Sequence, residues 1–199
     1  MHLSAAGFET TATTLMWWIL AMVAFPEVQC RAQAELDAVL GRARFPTYTD
    51  APRLPYVRAI IREVIRWRPA VRLGPPHKTA KDDWYEGMFI PKCSICRPNI
   101  WQRNRDRAIF GDNADDFKPE RHLGDNGDLL PGPRETNQEG HVTFGFGRRI
   151  CVGKHLASDS LFILTARILW AANLQCVEDE KGMERLLDTN AFMEVGSIR

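Results

Sequence analysis

The sequence predicts a mainly α-helical fold with small β-sheets. Three observations carry this expectation. Apolar residues recur at helical spacing in four segments, residues 79–97 read as short strands split by a turn, and the connections are rich in Pro, Gly, Asp and Asn. The 199 residues suffice for one domain with a sizeable core. A net charge of +1 and a hydrophobic content of 45% are ordinary for a globular chain and argue neither for nor against nucleic acid. Five cysteines without close, regular spacing speak against a secreted disulfide scaffold and for reduced thiols.

Residues 1–25 read as one helix. Thr10 to Pro26 carries no charge, but the run holds four threonines and is short for a bilayer span, so it is expected to be a buried core helix. Nothing in it has the basic start or small-residue cleavage site of a signal peptide. A second helix covers 26–40, with Val28, Ala32 and Leu36 on one stripe, Pro26 in its first turn and Gly41 at its end. Residues 42–55 form a proline-containing connection. The third helix, 54–68, carries the stripe Val57, Ile60, Val64 and Trp67, and Pro69 ends it. Glu63 and Arg66 lie three apart at the edge of that stripe, so they are surface neighbours with partial burial. The plain reading of such a pair is an exposed ion pair of small consequence.

In the strand region, Glu86-Gly87 turns between Trp84-Tyr85 and Met88-Phe89-Ile90, and a further strand is expected over 93–97. Cys93 and Cys96 would then point to opposite faces of a strand, which disfavours joint metal binding. A short polar helix is expected over 99–107, and a surface loop over 123–142. A long helix over 151–172 follows, and 173–199 is mixed and polar, a partial hairpin.

The chemistry concentrates in Phe144-Gly145-Phe146-Gly147-Arg148-Arg149-Ile150-Cys151-Val152-Gly153. Its glycines allow close approach of backbone to a flat ligand. Cys151 sits where loop gives way to helix, so free N–H groups and the helix dipole favour a negative sulfur. A thiolate so placed can be an axial ligand to haem iron. Arg149 can donate a charge-assisted hydrogen bond to a haem propionate, and Phe144 can shield the iron–sulfur bond. The plain alternative is a loop-to-helix turn with an inert cysteine.

This decapeptide resembles the haem-binding loop of the cytochrome P450 family, Phe-x-x-Gly-x-Arg-x-Cys-x-Gly. Phe144, Gly147, Arg149, Cys151 and Gly153 fill its fixed positions. Upstream, Ala6-Gly7-Phe8-Glu9-Thr10-Thr11 resembles the family's central distal helix. The resemblance implies that Gly7 leaves room for dioxygen and that Glu9 and Thr10 serve a proton relay at a locally opened turn. It also implies that Glu63 and Arg66 form a structural triad with Arg121 of Phe117-Lys118-Pro119-Glu120-Arg121, where His122 replaces the usual Phe. His77, in Leu73-Gly74-Pro75-Pro76-His77, is implied as a second propionate contact, with Val71 and Leu73 toward substrate. Asn99 to Arg107 is similar to a family stretch that usually has His at Asn104. Arg148, Lys154 and Lys118 would form a basic patch suited to an acidic redox partner.

The implied whole is the C-terminal portion of the family's fold: distal helix, Glu-x-x-Arg helix, haem loop and following helix. The N-terminal half and the last strands are then expected to be missing from 1–199. The implied function is haem-thiolate monooxygenation with thiolate-ligated haem b. The implied partners are NADPH–cytochrome P450 reductase or a similar donor, dioxygen and a small organic substrate, and no nucleic acid. Full-length members of this kind are expected at the endoplasmic reticulum membrane, whereas this chain carries no anchor, and its style is closest to fungal secondary metabolism. Two other readings stay open. One is a non-catalytic remnant, and the other a zinc module of Cys93, Cys96, Cys151 and His155.

Overall fold

A computed structural model describes residues 3–176, with side chains from residue 7 onward. The elements are helices α1 (Leu3–Ala24), α2 (Pro26–Leu40) and α3 (Pro55–Trp67), then strands β1 (His77–Lys78), β2 (Asp83–Tyr85), β3 (Met88–Ile90) and β4 (Ile95–Cys96). Short helices α4 (Ile100–Arg103) and α5 (Arg107–Phe110) lead through a long irregular segment to α6 (Lys154–Ala171). Short 3₁₀ turns punctuate the connections at Tyr48–Arg53, Pro119–His122, Arg134–Thr136 and Gly147–Arg149.

The core lies where α1, α2, α3 and α6 meet. Trp17, Trp18, Ala21 and Met22 of α1 pack with Val57, Ile60 and Val64 of α3 and with Leu161, Phe162 and Leu169 of α6. An aromatic cluster closes one end: Phe25 stacks on Phe117 at 5.0 Å between ring centroids, and Trp67 lies 5.3 Å from Phe117. α3 is the centre of the assembly. Its stripe meets the core as its spacing predicts, but its opposite face is buried too, including Glu63 and Arg66.

α1 departs from the expected buried helix. It is apolar all round, and only one face is covered: Phe8, Met16 and Ile19 are exposed. No single helix among the described residues is long and apolar enough to cross a membrane. α2 is held by polar side chains on its flank. Gln29 donates to Leu174 O at 2.9 Å and accepts from Leu174 N at 2.8 Å, and Gln33 donates to Leu169 O and Ala172 O. The Gln33 bonds take up carbonyls that the end of α6 leaves open, and the Gln29 pair holds the chain just beyond it. Glu35 does the converse for α3, accepting from the N–H groups of Tyr56 and Val57 at 2.8 and 3.0 Å.

β2 and β3 form the expected hairpin, with Trp84 opposite Phe89, and β1 pairs antiparallel with β4. The strand expected over 93–97 is shorter. Cys93 lies in the preceding turn with φ of +72°, which a side chain adopts only at a cost, and the strand starts at Ile95. The helix expected over 99–107 is split. α4 ends at Asn104, and Asp106 begins α5 by accepting from Ala108 N. The expected helix over 151–172 starts at Lys154. The expected hairpin over 173–199 lies largely outside the described residues.

Replacing Gln29 with Leu keeps the volume but leaves the N–H and C=O of Leu174 without their partners. Gln29→Leu is expected to lower unfolding free energy by about 1–3 kcal/mol. The check is a lower urea midpoint at unchanged slope.

Candidate functional site

Among the described residues, a buried cluster of charged and polar groups is built on Glu63. Its side chain is fully buried, deeper than the partial burial its place in the stripe suggests. Arg66 Nη2 and Nε donate to its two carboxylate oxygens at 2.8 Å each, Arg121 Nε donates at 2.9 Å, and the Lys118 N–H donates at 2.8 Å. His122 Nε2 lies 2.9 Å from Oε2. The structure therefore brings Glu63, Arg66 and Arg121 together and adds His122. Burial alone would raise the Glu63 carboxyl, but the hydrogen bonds from Arg66 and His122 outweigh it and hold it well below the usual carboxylate range. Burial pushes the His122 imidazole down against the pull of Glu63. A neutral ring donating Nε2–H to an ionised carboxylate satisfies both.

Arg66 uses all five of its N–H groups. Two go to Glu63, and the others to the carbonyls of Asn104 (2.7 Å), Ala114 (2.6 Å) and Asp116 (2.8 Å). Arg121 similarly collects Phe110 O, Asn113 O and Asp116 O. The two guanidiniums thus fold the irregular chain from 104 to 122 onto α3. Glu120 adds a tie to α2, accepting from Arg31 at 2.9 Å and from the Tyr56 hydroxyl at 2.8 Å.

This cluster leads to the glycine loop. The buried Asn104 accepts from Val142 N, and Thr143 Oγ1 donates to Ile65 O of α3. Beyond them the loop closes on itself. Gly145 N donates to Val142 O, and Cys151 N donates to Phe144 O at 2.8 Å. Gly145 and Gly147 have φ of +73° and +60°, and a Cβ on either would meet nothing within 4 Å, so the loop presents open space and bare backbone. Cys151 is exposed. It precedes α6 by three residues instead of starting it, because Gly153 takes the N-cap position. Phe144 is half-buried against His141, whereas Phe146, Arg149 and Val152 are exposed.

The other predicted residues are placed as follows. Glu9 is exposed and Thr10 half-buried on α1, two and three residues after the open Gly7. No opened turn occurs there. α1 is continuous, and the Thr11 and Thr14 hydroxyls bond back to the Gly7 and Thr10 carbonyls, which lets a helix bend without breaking. His77 is exposed on β1 opposite Cys96. Val71 and Leu73 are exposed. Lys154 is no free member of a basic patch: its Nζ lies 2.6 Å from Glu139 Oε1. Among the described residues no three His, Cys, Asp or Glu side chains gather to hold a metal ion, so the zinc arrangement of Cys93, Cys96, Cys151 and His155 is not assembled.

His122, Asn104 and Thr143 are the site residues that sequence reasoning missed. Their partners lie far off in the chain, and only the atypical His122 and Asn104 within otherwise matching stretches marked them for notice.

Residues 1–193 match the sequence profile described as Cytochrome P450. The chain belongs to the cytochrome P450 family. Relatives include a cytochrome P450 monooxygenase of Armillaria gallica, 50% identical over 98% of this chain, and cytochrome P450 monooxygenase 253 of Postia placenta, 46% identical over 97%. Another is cytochrome P450 monooxygenase iboC of Amanita muscaria, 39% identical over 96%. The chain spans 37%, 36% and 42% of their respective lengths. The family is a haem-binding one. In this P450 the donor chemistry fits that group, with an exposed thiol on a loop whose glycines leave an open face.

Next to the loop lies a second buried imidazole. Burial first, and then the cationic Arg62 and Arg66, pushes His141 down to about 3 from its usual 6.5. Between those values the unfolded chain binds a proton here that the folded chain refuses. Stability therefore falls as pH drops through that window, by up to about 1.4 kcal/mol per pH unit for one group. Urea unfolding at pH 7 and pH 5 is expected to show this loss, and His141→Phe is expected to reduce it. An equal loss in the variant would place the acid sensitivity elsewhere.

Proposed function

We propose that this chain carries the haem-thiolate site of a monooxygenase that oxidises a small organic substrate with dioxygen and electrons from a reductase. The observation that carries this reading is the setting of Cys151. Its thiol is exposed on an open glycine loop, and hydrogen bonds tie that loop back to the Glu63 cluster. Haem, when bound, supplies the redox chemistry that activates dioxygen.

The chain's own residues do the rest. Cys151 would hold the iron through its sulfur as a thiolate. Gly145 and Gly147 carry no side chain on an open stretch of the loop, so bare backbone would face a bound haem there. Arg149 donates to a propionate carboxylate, and His77 offers a second donor. Phe144, held against His141, keeps water from the sulfur. On α1, Glu9 and the Thr10 hydroxyl would serve a proton relay, with the bare Gly7 one turn before Thr11 leaving open space on the helix. Glu63, Arg66 and Arg121 touch no substrate and serve to hold the loop in place.

A second reading, a chain that keeps the motifs without a competent haem site, is favoured by the exposed apolar side chains of Phe8, Val152 and Leu156. One experiment separates the two. After haem reconstitution, the reduced, CO-bound difference spectrum is expected to show the red-shifted Soret band of thiolate-ligated haem, and Cys151→Ala is expected to abolish it. A histidine-type or unliganded spectrum, unchanged by the substitution, would contradict the first reading and support the second.

A further inference from the structure

We propose that Asn104 is the positioning residue that transmits the Glu63 cluster's rigidity to the cysteine loop. This rests on the haem-thiolate reading of Cys151. Asn104 is fully buried at the end of α4, and both its backbone and its side chain are committed. Its carbonyl accepts from Arg66 Nη1 at 2.7 Å, which fixes the residue to the cluster. Its Oδ1 accepts from Val142 N at 2.8 Å, and its Nδ2 donates to Thr143 Oγ1 at 3.0 Å.

The orientation of the amide is dictated by its partners. A backbone N–H can only donate, so the atom facing Val142 N must be the oxygen. The Thr143 hydroxyl spends its proton on Ile65 O at 3.0 Å and so presents a lone pair to the amide nitrogen. One side chain thus supplies an acceptor and a donor to two consecutive residues, and the second of these is bound to α3 as well. Asn104→Asp keeps the acceptor and loses the donor, because both oxygens of an ionised carboxylate only accept. An apolar side chain loses both bonds.

The residues held in this way are the entry to the loop. Val142 O receives Gly145 N at 2.9 Å, and the next carbonyl but one, Phe144 O, receives Cys151 N at 2.8 Å. The path from Glu63 to the ligand cysteine therefore runs through Arg66, Asn104, Val142 and Thr143, then Phe144. Asn104 is the one side chain on it that grips the loop directly from the end of α4. Loosening that grip frees the Phe144 carbonyl, and with it the backbone that sets the height of the Cys151 sulfur.

The test is amide hydrogen exchange on the full, haem-free chain for the wild type, Asn104→Leu, Asn104→Asp, Thr143→Val and Thr143→Ser. Asn104→Leu is expected to speed exchange at Val142, Gly145 and Cys151 at least tenfold and leave Ile60 and Val64 of α3 unchanged. Asn104→Asp is expected to keep Val142 protected and speed Cys151 by a smaller factor. Rates at Val142 and Cys151 within twofold of wild type in Asn104→Leu, with α3 still protected, would overturn the proposal. If Asn104→Leu unprotects α3 as well, the Thr143 pair decides. Valine is expected to speed Cys151 exchange at least threefold and serine to restore it, and equal rates in both would overturn the proposal. After haem loading, Asn104→Leu is expected to retain haem but shift the CO band from the thiolate type toward the neutral-thiol type. Absence of a thiolate band in the wild type would count against the haem reading alone, because the exchange result stands without haem.

Discussion

A buried, ionised carboxylate must be surrounded by donors, and in this chain that requirement is met at Glu63. Removing a carboxylate from water costs several kcal/mol, and only good geometry with several partners offsets it. Those partners come from separate places: Arg66 from the same helix, the Lys118 N–H, Arg121 and His122 from the turn at Pro119–His122. The Glu63 charge is therefore satisfied only when α3 and the segment that ends at His122 are packed together. Taking away one partner of such a cluster leaves an uncompensated charge and costs about 3–5 kcal/mol.

Arg66 extends the constraint outward. A lysine has three donors on a point charge, whereas the planar guanidinium spreads five in fixed directions. Arg66 uses the extra ones to gather three backbone carbonyls from turns that make no sheet or long helix of their own. Irregular chain needs such external partners, because its backbone groups find none locally. The same logic recurs on α2, where Gln33 and Glu35 satisfy the open ends of α6 and α3 and Gln29 pairs with the backbone of Leu174 just beyond α6. Cationic stacking adds to it. Arg68 lies 3.9 Å over Trp67, and Arg105 lies 3.4 Å over Trp101, both with burial pushing the guanidinium down to about 10, so they remain charged at neutral pH.

Much of this is legible in the sequence, for particular reasons. The stripe Val57, Ile60, Val64 and Trp67 marks α3, because period 3.6 is a local property. Glu63 and Arg66 are legible as neighbours, yet their depth is not, because burial on the second face depends on chain about forty residues away or more. Cys93 reads as strand since its apolar setting fits one. Its positive φ belongs to the turn in which Cys93 N donates to Thr79 O and Ser94 N to Thr79 Oγ1. The start of α6 reads too early because an N-cap glycine looks no different in sequence from a loop glycine. His122 and Asn104 are visible only as departures from the family's usual residues. Their function depends on atoms contributed from α3 and from the loop, which no spacing rule connects.

The exposed thiol and the buried carboxylate divide the labour of the site. Cys151 is placed where a ligand can reach it, and Glu63 is placed where water cannot, with Arg66 and Asn104 between them. The most direct measurement of this arrangement is the titration of the Glu63 side chain in the folded chain, followed by the ¹³C shift of its carboxyl from pH 7 downward. A shift that stays flat through the ordinary glutamate range, moving only as the fold is lost in acid, is the expected result. A titration step in that ordinary range with the fold intact would contradict the central role given to the ionised Glu63 cluster.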